Sequence, residues 1–308
     1  MSADAASSLP DTTQHWTLRI TPSSWRPFIQ LARLDRPIGW QLLLLPCWWG
    51  VALAARATGT PPDIAHLALL LAGAVAMRGA GSTFNDIVDR DLDRQVARTR
   101  ERPIASGRVG RSGASAFLLA QCLVGLAVVL AFNPFTIALS FGALGIVAAY
   151  PFAKRVTSWP QAVLGLAFAW GALVGWAATV GGLSAAPLLL YGAAILWTMG
   201  YDTIYALQDR TDDAIVGIGS TALLFGEHVR PAVAALYAGA VVLAGSAVAL
   251  VGGGAGAWGG LALFAGHLAW QVATLAPEDG DRALSLFRSN RIAGLLLFAG
   301  LALDAVVR

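Results

Sequence analysis

Four stretches without a single Asp, Glu, Lys or Arg constrain this chain more than anything else in it: Pro37–Ala55, Ser112–Ala153, Val156–Tyr201 and Pro231–Pro277. Each is long enough to cross a hydrocarbon core, which takes roughly 20 apolar residues, and the three longest can each hold two spans. With 56% hydrophobic and only 13% charged residues, the chain has too little polar surface to cover a soluble body of this size. Thirty-four glycines would weaken soluble helices but suit helices packed closely in lipid. Breaking the runs at Asn133-Pro134, at Gly181-Gly182 to Pro187 and at Gly252–Gly254 gives about nine spans, and the fold class expected is an all-α polytopic membrane protein, a bundle of about nine transmembrane helices. Residues 1–25 are polar and lack the apolar core of a cleaved signal, so they read as a cytoplasmic N-terminal segment. Residues 26–308 read as one transmembrane domain. Cys47 and Cys122 fall inside spans with no ligand-like partners and read as core.

The connections alternate in charge. Arg33 and Arg36 precede the first span, Arg90 to Arg111 fill the second-to-third connection, and Lys154-Arg155, Arg210, Arg230, Arg282, Arg288 and Arg291 fall on the same side. The other side has Arg56 and Arg308. The positive-inside rule places the basic set, and the N-terminus, in the cytoplasm.

Two aspartate-rich segments lie on that face. The first is Asn85-Asp86-Ile-Val-Asp89-Arg90-Asp91-Leu92-Asp93; the second runs from Asp202 through Tyr205 and Asp209 to Asp213, offset by 120 residues. Four spans between them imply a parallel four-helix pseudo-repeat, residues 37–153 and 156–275, with an added helix over 288–307. Asn85, Asp89 and Asp93 are four apart, as are Asp209 and Asp213, so each set shares a helical face. Crowded oxygen ligands of that kind suit a hard cation such as Mg2+. Charged groups at a membrane edge mark function. Arg98, Arg102, Lys154 and Arg155, beside Tyr150, can neutralise phosphate oxygens. Arg78 lies inside the second span, where a permanent charge requires an anionic partner, either a substrate carboxylate or one of the repeat aspartates.

Taken together, these segments resemble the UbiA superfamily of intramembrane prenyltransferases, most closely its members acting on 4-hydroxybenzoate. The resemblance spans about Arg33 to Gly226, through Arg33–Gly39, Met77–Asp86, Asp89–Asp93, Arg98–Pro103, Tyr150–Arg155, Trp159–Gln161, Tyr201–Asp213 and Ser220–Gly226. It implies nine transmembrane helices and a magnesium-dependent site with a lateral opening for the lipid tail. It also implies roles: Asn85, Asp89, Asp93, Asp209 and Asp213 for magnesium-diphosphate; Arg98, Arg102, Lys154 and Tyr150 for the diphosphate; Arg78 for the carboxylate of the aromatic acid. Asp86, Asp202, Tyr205 and Arg155 complete the substrate-contacting set. The partners implied are a polyprenyl diphosphate, 4-hydroxybenzoate and membrane lipid, with no nucleic acid, at the bacterial inner (cytoplasmic) membrane. Two departures stand out: no lysine near residues 215 and 219, and a bulky Trp40 where a small polar residue is expected. Haem, a chlorin or another aromatic as acceptor is the alternative on the same fold. A secondary transporter would place its charges in interrupted helices rather than at span ends.

Overall fold

The computed structural model describes residues 15–95, 99–210 and 219–307, with side chains throughout except at 148–156 and 209. Nine long helices carry these residues: α1 (Ile38–Thr58), α2 (Ile64–Val88), α3 (Arg111–Leu130), α4 (Pro134–Val156), α5 (Pro160–Val180), α6 (Ala185–Ala206), α7 (Val229–Leu250), α8 (Ala255–Thr274) and α9 (Gly280–Val306). At 1.5 Å per residue, about 20 residues reach roughly 30 Å, the thickness of the hydrocarbon core. Six stretches are also apolar enough to count as spans on composition: α1, α2, α3, α5, Thr221–Leu250 and α9. Two of the others, α6 and α8, have full length but are diluted by residues such as Tyr191, Thr198 and Asp202, or His267 and Gln271. The chain is a multi-pass, all-helical membrane protein.

The helix ends fall where the turn signals stood. Asn133 accepts from Thr136 N at 2.9 Å ahead of Pro134, capping α4 where proline cannot donate. Gly181 ends α5 at φ 75°, a left-handed cap that disfavours side chains.

The chain divides into two compact units, Met1–Gln41 with Ala72–Val128, and Leu42–Leu71 with Val129–Arg308. The first unit is centred on buried Leu31, Ile104, Val109 and Ala114, with Phe28, Ile87 and Phe117 packed against them. Residues 99–110 fold onto this core in tight turns, with Arg102 N bonded to the Thr99 carbonyl and Ser106 N to the Arg102 carbonyl, both at 2.9 Å.

In the second unit α6 packs against α5 and α7, and α8 against α9. Glycines allow the closest approaches: any Cβ on Gly175 would collide with the Cys47 carbonyl, and Gly260 lies against Gly300. Trp49, Trp197, Tyr201 and Phe264 fill the centre, with the Trp49 and Trp197 rings 4.8 Å apart. A buried polar chain runs through it. Trp197 Nε1 donates to Asn290 Oδ1 at 2.8 Å, and Gln271 Oε1 accepts from Tyr237 Oη at 2.9 Å and Asn290 Nδ2 at 3.2 Å. Apolar contacts alone leave a helix free to rotate about its axis in lipid, whereas these directional bonds fix α6, α7, α8 and α9 in one setting. Arg56, the lone internal basic residue of the sparsely charged connections, is neutralised: its Nε lies 2.9 Å from Asp304, whose carboxylate also accepts from Gly254 N and Gly256 N at 2.8 and 3.1 Å.

Candidate active site

The first aspartate-rich segment sits where α2 ends. Asp89 leaves helical geometry, at φ −90° and ψ 6°, and a single turn, Arg90–Asp93, follows. Backbone bonds nevertheless run unbroken in steps of four: Asp89 N to the Asn85 carbonyl and Asp93 N to the Asp89 carbonyl, both at 2.8 Å. The spacing read from the sequence therefore survives the bend. Asp86, Asp89 and Asp93 are all at least 94% buried, whereas the Asp91 side chain is 71% exposed. Asn85 is half-buried between them.

Two arginines hold Asp86 and Asp93. Arg33 Nη2 donates to both oxygens of Asp86 at 2.7 and 3.0 Å. Arg102 Nη1 reaches Asp86 at 3.3 Å and both oxygens of Asp93 at 3.2 Å. Burial pushes the Asp93 carboxyl above the usual carboxylate range; Arg102 opposes the rise and Asp86 adds to it. Arg33, Arg36, Arg102 and Arg108 line a crevice whose cavity volume is about 20 Å³, room for about one water.

Arg78 projects from α2 one turn before Ser82, to which Nη1 donates, and its guanidinium lies against Gly39 in the first turn of α1. The bare glycine surface at Gly39 leaves the space that the Arg78 guanidinium occupies.

The donors near Asp86–Asp93 are oxygens only. Among the described residues no three acidic, His or Cys side chains form a ready-made metal cage. Magnesium does not require one, since it is usually held by one or two carboxylates plus substrate phosphates, and buried aspartates fit that demand.

In the second unit α6 carries Tyr201, Asp202 and Tyr205 and passes into a short 3-10 turn, Leu207–Asp209. Tyr201 is buried, Asp202 is half-buried, and the Tyr205 ring packs on Phe287 with centroids 4.6 Å apart. A buried hydroxyl pair pins this end of the helix: Thr203 Oγ1 lies 2.7 Å from Thr221 Oγ1, and Thr221 N donates to Gln161 Oε1 at 3.0 Å. The motifs around Gln161, Thr203 and Thr221, remote in sequence, meet here at the end of α6. Sequence reasoning noted all three motifs without assigning Gln161, Thr203 or Thr221 a role, because neutral polar side chains carry no charge signal. Gly219 rests on the Thr157 carbonyl, where an added Cβ would lie at 2.6 Å, so any side chain at this position would have to displace that carbonyl.

The structure thus gathers Arg78, Asn85, Asp86, Asp89, Asp93 and Arg102 in one unit and places Asp202 and Tyr205 in the other. Arg98 and Asp213 lie outside the described residues, as do the side chains of Tyr150, Lys154, Arg155 and Asp209. Arg33 was read only as part of the basic set and of a motif; its grip on Asp86 was missed.

Comparison with known proteins bears on these arrangements. A family model described as the UbiA prenyltransferase family matches residues 43–298. The chain is 42% identical to the mitochondrial 4-hydroxybenzoate polyprenyltransferase of Drosophila melanogaster over 318 aligned positions, covering 100% of this chain and 78% of the relative. Among solved structures, a UbiA homolog from Aeropyrum pernix K1, in its apo form, superposes with TM-score 0.72 at 31% identity, over 86% of this chain and 97% of that one. A UbiA homolog from Archaeoglobus fulgidus, solved bound to DMAPP and Mg2+, shares the fold with TM-score 0.66 at 19% identity, over 91% and 99% of the two chains.

Proposed function

Because this chain belongs to the UbiA prenyltransferase family, we propose that it transfers a polyprenyl group from polyprenyl diphosphate to 4-hydroxybenzoate, at the ring carbon ortho to the hydroxyl, in ubiquinone biosynthesis. The observation that carries this reading is identity of 42% across the full chain to a 4-hydroxybenzoate polyprenyltransferase. The chain is a membrane enzyme in which Asn85, Asp89 and Asp93 would hold Mg2+, and Asp209 and Asp213, at the same spacing, are assigned the same ligand type. When bound, the ion would neutralise charge on the leaving diphosphate.

The chain's own residues do the rest. Arg102, with Arg98, Lys154, Arg155 and Tyr150, is assigned to the diphosphate oxygens, supplying charge that grows in value as the allylic carbon–oxygen bond lengthens. Arg78 grips the carboxylate of the acid and so orients the ring. Asp86, Asp202 and Tyr205 shape the surroundings. Helices packed through glycine and aromatic contacts exclude water, which would otherwise capture the allylic cation. We assign these residues to the cytoplasmic side of a bacterial inner membrane, a reading supported by the basic connections, and read the two halves as a pseudo-repeat.

The test uses purified protein in detergent with 4-hydroxybenzoate, a polyprenyl diphosphate and Mg2+, and mass spectrometry of the lipid extract. A 3-polyprenyl-4-hydroxybenzoate product is expected. Turnover of a different acceptor, with none of 4-hydroxybenzoate, would reject the assignment.

A further inference from the structure

We propose that Arg33 is a positioning residue for prenyl transfer: it takes up the charge of Asp86, leaving Arg102 shared loosely with Asp93 and able to move onto a diphosphate. The inference rests on the function proposed above and concerns its diphosphate half.

Among the described residues Arg33 is the one non-glycine residue with positive φ, at 55°. Such a conformation is disfavoured for a side-chain-bearing residue and persists where the surroundings fix it. Here the turn is fixed by Leu34 N bonded to the Ile29 carbonyl at 3.0 Å and Arg36 N to the Arg33 carbonyl at 3.1 Å. Arg33 Nη1 also donates to the Gln30 carbonyl at 2.7 Å. With that nitrogen spent on the backbone, Nη2 is aimed at Asp86, whose side chain is 1% exposed against 17% for Arg33.

The distances rank the partners. Arg33 meets Asp86 at 2.7 and 3.0 Å, the geometry of a committed charge-assisted pair. Arg102 is spread over three oxygens of two carboxylates at 3.2 to 3.3 Å. A guanidinium held this way exchanges partners at lower cost than Arg33 would, because each bond is long, Asp86 keeps Arg33, and Asp93 is assigned above to Mg2+. Remove Arg33, and Asp86 becomes a buried carboxylate whose remaining described cation is Arg102. Leaving a buried charge unpaired is unfavourable, so Arg102 would close on Asp86 and be lost to the diphosphate. The left-handed turn in Arg33-Leu34-Asp35-Arg36 is thereby given a purpose that membrane anchoring does not supply.

The experiment measures, by titration calorimetry, binding of an unreactive polyprenyl thiolodiphosphate with Mg2+, alongside steady-state kinetics. Arg33→Gly keeps the backbone geometry and removes the guanidinium; it should weaken analogue binding about tenfold or more while the KM for 4-hydroxybenzoate stays within about twofold, and Arg33→Lys should fall between. In the Asp86→Asn background, where no charge needs Arg33, adding Arg33→Gly should change analogue affinity by less than about twofold. That double variant buries no orphan carboxylate, so it remains testable if Arg33→Gly alone does not fold. Equal losses in both backgrounds, or wild-type affinity in Arg33→Gly, would overturn the proposal. Analogue binding does not depend on the acceptor, so a wrong acceptor assignment shows separately, as absent product from the wild-type enzyme.

Discussion

Gly39→Ala is the smallest change expected to damage acceptor binding. An added Cβ would lie 2.6 Å from Arg78 Nε and 3.2 Å from Cζ and Nη2, whereas ordinary contact begins at 3.4 Å. The Nε end of the guanidinium must therefore retreat by about 0.8 Å. Nε sits near the root of the planar group, and Nη1 is tied to Ser82, so the plane tilts as a body. A misplacement of about 1 Å can cost on the order of 100-fold. We expect the KM for 4-hydroxybenzoate to rise about 10- to 100-fold, with kcat and the KM for the prenyl diphosphate within a few fold. A Tm in detergent close to wild type, measured alongside, separates this effect from a loss of folding. Arg78→Ala should raise the same KM, and the double variant should add nothing further, since both act on one interaction. Steady-state kinetics with each substrate varied in turn decide it: a KM for the acid within twofold of wild type in Gly39→Ala would refute the placement of the carboxylate on Arg78.

Asp89→Ala and Asp209→Ala should each abolish product formation in the radiolabelled prenyl assay, and near-normal rates in either would remove that residue from the magnesium set. Chelation by EDTA should stop turnover and added Mg2+ should restore it. Arg56→Met leaves the carboxylate of Asp304, 5% exposed, without its cation, which should cost about 3 kcal/mol and lower the Tm in detergent while kcat/KM of the surviving enzyme holds. Thr221→Val removes the hydroxyl paired with Thr203, a loss of about 1–2 kcal/mol, and should also reduce kcat by loosening the end of α6; a Tm shift without any kinetic change would restrict the pair to stability.

What could be read in advance was local. The spacing of Asn85, Asp89 and Asp93 is a property of adjacent helical turns, so periodicity exposed it, and the backbone bonds through Asp89 keep it even though α2 ends at Val88. Span ends were legible because Asn-Pro and Gly-Gly pairs act within a few residues of themselves. The contacts that escaped join residues far apart in sequence. Arg33 and Asp86 are separated by 53 positions and Thr221 and Gln161 by 60. In each case a local explanation masked the distant one. An arginine before a span already satisfies the positive-inside rule, and a neutral threonine carries no charge to draw notice. Gly39 and Gly219 escaped for a related reason, since a glycine advertises freedom of the backbone but not the group that occupies the space where its side chain would be. The lesson is physical: in lipid, charge is scarce enough that its position reveals function, whereas neutral hydrogen-bonding side chains and absent side chains set the positions of those charges and acquire meaning only once the helices that face them are known.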